Sequence, residues 1–336
     1  MAGGARPLAV SLGDPAGVGP ELIAEAWARR EELDLPPFLA VGGAGLLADA
    51  AERRGLSVPI ERIASPGDAA AVFPQALPVL DEVDAVYTPG VPDLAGARCA
   101  LASLTRATQL AIEGEAAGIV TGPISKARLA EVGFAHPGQT EFVAEACGVL
   151  PGDAVMMLAG PQLRTVPLTV HIALADVPQR ITSAMIERKG WIVAMALVRD
   201  FGIAAPRLAV AALNPHAGEE GRMGDEEVRI IAPAIQALQD AGIDATGPHP
   251  ADALFTPRAR ETFDAALCMY HDQALVPLKA LDFDSGVNVT LGLPIVRTSP
   301  DHGTAFGIAG KGLADPGATI AAMRMAGECA RRRGLA

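Results

Sequence analysis

Residues 8–21 read Leu8-Ala9-Val10-Ser11-Leu12-Gly13-Asp14-Pro15-Ala16-Gly17-Val18-Gly19-Pro20-Glu21. An apolar run of strand length gives way to a glycine-rich loop. The loop then opens into a segment whose Pro20 suits the first turn of a helix. The stretch predicts a strand–loop–helix unit. Its glycines permit close backbone approach and the helix start offers N–H groups to an anion, although a tight structural turn would use the same residues equally well. Outward from this unit the pattern repeats. Apolar runs at 38–41, 118–121, 208–213, 266–270, 287–291 and 295–297 alternate with helical periodicity at 101–113, 181–201 and 318–331. Residues 156–158 and 164–170 read as a paired strand or hairpin. Such alternation specifies βα units and a mostly parallel sheet, hence an α/β fold.

The chain has 336 residues, more than one hydrophobic core usually serves, so one large or two coupled α/β domains are expected. No repeat, low-complexity tract or flexible linker interrupts it. Half the residues are hydrophobic and only 4% are aromatic, so aliphatic side chains and Met must fill the interior. A net charge of −12 argues against a nucleic-acid partner, because a phosphate backbone requires a basic face. It leaves room for a small anion held by a few local Lys and Arg. No apolar stretch approaches the ~18–20 residues of a membrane span, and residues 1–9 lack the pattern of a secretory signal. Cys99, Cys147, Cys268 and Cys329 are scattered, with no CxxC pair. That spacing fits neither a disulfide framework nor a zinc ribbon and points to a reducing, cytoplasmic setting.

Three of the six histidines stand at or just past strand-like runs: His171 after 166–170, His216 in Asn214-Pro215-His216-Ala217-Gly218-Glu219, and His271 in Met269-Tyr270-His271-Asp272-Gln273. In a parallel sheet the carboxyl ends of strands are where ligands collect. Three converging imidazoles would hold one divalent cation and leave positions open for a substrate. Each histidine alone reads more readily as an ordinary hydrogen-bonded residue; the repeated context favours the metal. His136 and His249 each precede a proline and read as structural.

The loops at 121–126 and 137–141 present Ser, Thr and Gln groups that suit a phosphate or hydroxyl, with N-capping by Ser125 and Thr140 as the simpler use. The densest region is 271–312: Asp272 beside a candidate ligand, then Lys279, Asn288, Arg297, Asp301 and His302. Cationic side chains near a metal candidate in an acidic protein suggest an anionic substrate. One pattern competes. Gly43-Ala44-Gly45-Leu46-Leu47-Ala48 follows a strand and matches the dinucleotide fingerprint G-x-G-x-x-A, with Glu61 at about the distance of a ribose-binding acid. Short glycine patterns arise readily in a chain with 36 glycines.

Taken together, residues 13–21, 121–126, 214–219, 250–253, 270–279 and 286–307 resemble the 4-hydroxythreonine-4-phosphate dehydrogenase (PdxA) family of vitamin B6 biosynthesis. The likeness spans nearly the whole chain, in order. It implies a two-domain fold similar to isocitrate and isopropylmalate dehydrogenases, with a mostly parallel sheet and a cleft between domains. Residues 1–336 would then be one two-lobed catalytic unit whose lobes share the sheet. The dinucleotide fingerprint becomes a coincidence.

By the same resemblance, His171, His216 and His271 match metal ligands, with the position of His271 contributed across a homodimer. Thr140, Lys279, Asn288 and Arg297 match substrate-binding positions, and Asp252, Asp272 and Lys279 are the candidates for proton transfer. Asn288, Asp301 and His302 fall in the loops expected to line the NAD site. The implied cofactors are NAD or NADP and one divalent cation, Zn, Mg or Co. The implied reaction oxidises 4-phosphohydroxy-L-threonine at its 3-hydroxyl and then removes its carboxylate, giving 3-amino-2-oxopropyl phosphate. One residue departs from the family pattern: Gln139 stands where a histidine is usual. It is expected to act as a neutral hydrogen-bond donor to substrate. The rival readings are a dehydrogenase of another hydroxy-acid phosphate or of a ring diol, and a metal-dependent aldolase or hydrolase that would ignore NAD. A binding protein with a structural metal would need a fourth ligand at suitable spacing, which is lacking.

Overall fold

The computed structural model describes residues 6–336. These divide into two compact units, one formed by Met1–Pro151 with Leu293–Ala336 and the other by Gly152–Gly292. The first unit carries β1 (Leu8–Ser11), β2 (Phe38–Val41), β3 (Ile60–Ile63), β4 (Leu77–Leu80) and β5 (Gly118–Thr121). The second carries β6 (Val155–Ala159), β7 (Arg164–Pro167), β8 (Arg207–Ala211), β9 (Asp244–His249), β10 (Ala265–Cys268) and β11 (Val287–Leu291), and the returning chain adds β12 (Arg297–Pro300) to the first.

In the first unit the strands run β3-β4-β2-β1-β5-β12, all parallel. Every residue of β1, β2, β4, β5 and β12 is buried, as a parallel strand covered on both faces requires. Ala9, Leu39, Val41, Ile63, Leu80, Ala107 and Leu110 form one core cluster beneath the helix Leu94–Ile112. That helix begins seven residues before the periodicity at 101–113 suggests, because Asp93 accepts a bond from the Gly96 N–H at 2.7 Å and caps it. The helix Gly19–Ala28 does begin with Pro20 in its first turn.

In the second unit the order is β11-β6-β7-β10-β8-β9. β6 and β7 are antiparallel, as are β11 and β6, while β7, β10, β8 and β9 are parallel neighbours. Leu158, Leu163, Phe263, Cys268, Leu275 and Leu278 pack into its core. The helix Ser183–Phe201 ends at Gly202, whose φ of 69° places it in the left-handed region that closes many helices. The α/β class with mostly parallel strands is thus as the sequence predicts. Among the described residues no helix is long and apolar enough to cross a membrane.

Candidate active site

The parallel quartet of the second unit aligns its carboxyl ends, and the predicted metal-site residues follow those ends. His171 comes four residues after β7, His271 opens the helix after β10, His216 lies in the turn after β8, and Asp252 follows β9. Regular parallel pairing produces this collection, since each strand must leave the sheet on the same edge. The imidazoles of His171 and His271 lie with centroids 5.8 Å apart and face a cavity of about 270 Å³ shared with Thr169, Leu174, Tyr270 and Asp272. Thr169 Oγ1 donates to the Met269 carbonyl at 2.8 Å, and Lys189 Nζ donates to the Leu168 carbonyl at 2.7 Å. These bonds fasten the chain entering the His171 turn. Burial pushes the Lys189 ammonium below its ordinary pKa.

His271 Nδ1 lies 2.7 Å from Asp272 Oδ1. A neutral ring donating from Nδ1 to that carboxylate keeps Nε2 as the acceptor, the arrangement that orients histidine ligands at metals. Asp272 therefore has an orienting use besides the proton-transfer role expected of it. Asp252 is exposed. Lys279 sits eight residues along the helix from His271, about 12 Å by helical rise.

His216 is presented differently. From His216 to Glu220 the backbone runs left-handed, with φ of 52, 52, 73, 42 and 58°. Only one of these residues is glycine, and each of the others costs about 1–2 kcal/mol in that conformation. Strain of this kind persists only where surrounding structure imposes it. Among the described residues no three His, Cys, Asp or Glu come close enough to hold a metal ion. Within one chain, then, the structure pairs His171 with His271 and does not gather all three histidines.

The first unit assembles the other predicted residues. Its loops at the carboxyl ends of β1, β5 and β12 are tied together: Asp14 N–H donates to the Pro123 carbonyl at 2.8 Å and Val18 N–H to the Thr304 carbonyl at 3.0 Å. Gly13, at φ 71°, has no space for a Cβ, which would overlap the Pro123 backbone. Arg297 is only 3% exposed. Its guanidinium donates to Thr140 Oγ1 at 3.2 Å and Thr121 Oγ1 at 2.9 Å. Burial pushes its pKa down to about 10, with Glu141 acting in the opposite direction.

Gln139 is anchored through its side-chain amide. Its Nε2 donates to the Gly122 carbonyl at 3.0 Å, and a carbonyl can only accept, so the amide orientation is fixed. Left over are the second Nε2–H, a donor, and Oε1, an acceptor that is buried and without a partner. Asn288 Oδ1, His302 Nε2 and Asp14 Oδ2 are among the other buried atoms that lack partners. Each would be stabilised by about 1–3 kcal/mol on acquiring a partner from ligand or water. Gln139, Asn288 and His302 are residues the sequence singles out for binding. Asp14 was not among them; desolvation raises its pKa above the ordinary carboxyl value. Its only sequence signal is its place in the first glycine-rich loop.

The competing fingerprint at Gly43–Ala48 is filled by the chain itself. Ala44 N–H donates to Asp81 Oδ1 at 3.1 Å, and the Gly45 and Leu46 N–H groups donate to Asp84 at 2.8 and 3.1 Å. The helix start that would receive a pyrophosphate already holds two carboxylates.

Parallel sheets whose carboxyl edges collect imidazoles, carboxylates and a buried guanidinium define an α/β enzyme. The sequence profile described as pyridoxal phosphate biosynthetic protein PdxA matches residues 34–326, and the chain belongs to that family. It is 63% identical to the 4-hydroxythreonine-4-phosphate dehydrogenase of Erythrobacter litoralis over 98% of both chains. Identity to the enzyme of that name from Zymomonas mobilis is 53%, over 98% of this chain and 97% of that one. The crystal structure of 4-hydroxythreonine-4-phosphate dehydrogenase from Klebsiella pneumoniae superposes with a TM-score of 0.87 at 36% identity, covering 98% of this chain and 99% of that one. The family expected from the motifs is the family found, and with it an oxidoreductase of pyridoxal phosphate biosynthesis.

Proposed function

We propose that the protein catalyses NAD-dependent oxidation of 4-phosphohydroxy-L-threonine at its 3-hydroxyl, followed by decarboxylation to 3-amino-2-oxopropyl phosphate. The observation that carries this reading is 63% identity, end to end, to a 4-hydroxythreonine-4-phosphate dehydrogenase. The alcohol loses a hydride to the nicotinamide and a proton to solvent or a side chain; the resulting β-keto acid releases carbon dioxide and its C2 takes up a proton. His171, His216 and His271 hold a divalent cation, which when bound supplies Lewis acidity at the reacting oxygen. Asp272 orients His271. Lys279 and Arg297 supply positive charge for the anionic substrate, and Arg297 keeps the Thr140 hydroxyl in place. Asp252, Asp272 and Lys279 are the groups available to move protons. The acceptor atoms of Gln139 and Asn288 suit the ammonium or hydroxyl of the substrate, while Asn288, Asp301 and His302 line the coenzyme side.

The site is completed in a homodimer. The family resemblance assigns position 271 to the partner copy, so His171 and His216 of one chain would share the cation with His271 of the other, and the pair His171–His271 within one chain would serve two different sites. An exposed apolar stripe supports self-association: Trp191, Met195 and Val198, at helical spacing on Ser183–Phe201, are 49, 42 and 42% exposed. Four free cysteines accord with a cytoplasmic location. The deciding experiment follows NADH formation with 4-phosphohydroxy-L-threonine, with and without chelator. Turnover lost on chelation and restored by Zn, Mg or Co supports the reading; turnover without metal, or none with NAD or NADP, would sink it.

A further inference from the structure

The left-handed path from His216 to Glu220 cannot support itself, because L-residues gain nothing intrinsic from it. The side chain of Glu227 lies against it. Glu227, 2% exposed, accepts the backbone N–H groups of Leu213 at 2.9 Å and Asn214 at 2.7 Å on Oε1. Its Oε2 accepts the Asn214 side-chain amide at 3.0 Å and lies so close to Gly218 that a Cβ there would overlap it. Asn214 also donates to Glu226 Oε2 at 2.7 Å. Glu227 itself opens a π-helical turn, Glu227–Ile231, a local widening that recurs at functional sites. Its three donors all come from the two residues that lead into the turn.

We infer that Glu227 is a positioning residue for His216: its carboxylate pins the entry of the left-handed turn and so aims the imidazole. The inference rests on the reading of His216 as a cation ligand. Only a carboxylate offers acceptors on both sides. In Glu227→Gln the amide nitrogen must face either the Asn214 amide or two backbone N–H groups, donor against donor.

The test measures Co²⁺ affinity of the full-length protein by competition with a chromogenic chelator, in wild type, His216→Ala, Glu227→Gln and the double variant. Amide hydrogen exchange across 213–221 is followed in parallel. Glu227→Gln is expected to weaken Co²⁺ binding by roughly ten- to a hundredfold, as lost orienting contacts do, and to speed exchange in the turn. The double variant should bind no more weakly than His216→Ala alone. Unchanged affinity in Glu227→Gln, or a loss that adds in full to that of His216→Ala, would overturn the inference. If His216→Ala leaves affinity intact, the ligand reading falls; positioning is then judged by exchange alone, and unaltered protection of 215–221 in Glu227→Gln refutes it. Should Glu227→Gln fail to fold, Asn214→Ala removes the side-chain tie alone and is expected to weaken Co²⁺ binding severalfold; no loss there would also count against Glu227.

Discussion

The carboxyl edges of the two parallel arrays are built on opposite plans. In the first unit the functional groups are sunk into cross-tied loops, with Arg297 nearly inaccessible and bonded to two threonines. In the second, His171 and His216 are exposed and held out on left-handed backbone. A buried guanidinium bonded to two threonines is part of the packing. An exposed imidazole on a strained turn adds little to stability. The two edges should therefore respond differently to substitution.

The largest expected effect lies on the exposed edge. His171→Ala, His216→Ala and His271→Ala should each abolish cation-dependent turnover while leaving the melting temperature nearly unchanged, since none sits in the core. Full activity of any one of them in metal-depleted buffer removes that residue from the site. Mixing His171→Ala with His271→Ala protein sharpens the point. If the two histidines act from different chains, half the sites in a heterodimer are intact and activity returns. No recovery in proven heterodimers would assign the neighbouring pair, 5.8 Å apart, to one chain's site.

Arg297→Ala comes next, at roughly 2–4 kcal/mol in kcat/KM from an unpaired substrate charge. Unlike the histidine variants it should also lower thermal stability, because Thr121 and Thr140 lose a buried donor. A catalytic loss without any change in melting would contradict the contrast between the edges. Gln139→Ala should mainly raise KM, by about 1 kcal/mol for one neutral hydrogen bond, and Gln139→His should be tolerated. An unchanged KM would show that Oε1 does not meet substrate.

The smallest effect concerns Asp14. Its folded pKa is raised by desolvation, so the native state binds its proton more tightly than the unfolded chain does. Stability from this group is therefore lost as pH rises from the ordinary carboxyl value of 3.8 through the raised one. Asp14→Asn, which can keep the bond from Ala16, should melt slightly higher than wild type at neutral pH and converge with it near pH ~4. A lower melting temperature at neutral pH would mean the carboxylate has a stabilising partner.

Much of this was legible in residue order, for identifiable reasons. β1, β2, β5 and β11 are buried apolar runs and read directly. The edge strands β3 and β9 did not, because Glu61, Arg62 and Asp244 face solvent and dilute the pattern. β4 carries Pro78, which argues against a strand. β12 runs three residues beyond the apolar run at 295–297, because Thr298 and Ser299 are buried despite their polarity. At the sites, histidine is conspicuous by its chemistry. Glu227 and Asp14 look like any other acid in a chain with 39 of them, since only tertiary packing buries them.

The pair of aspartates at the start of the helix Ala44–Arg53 has a consequence for selectivity. The positive end of that helix dipole is neutralised by a counterion that is covalently part of the chain and never diffuses away. Nucleotides and sugar phosphates in the surrounding solution meet a plug where a vacant helix end would have attracted them. The protein thereby removes from competition a decoy anion site that its own glycine pattern would otherwise have created.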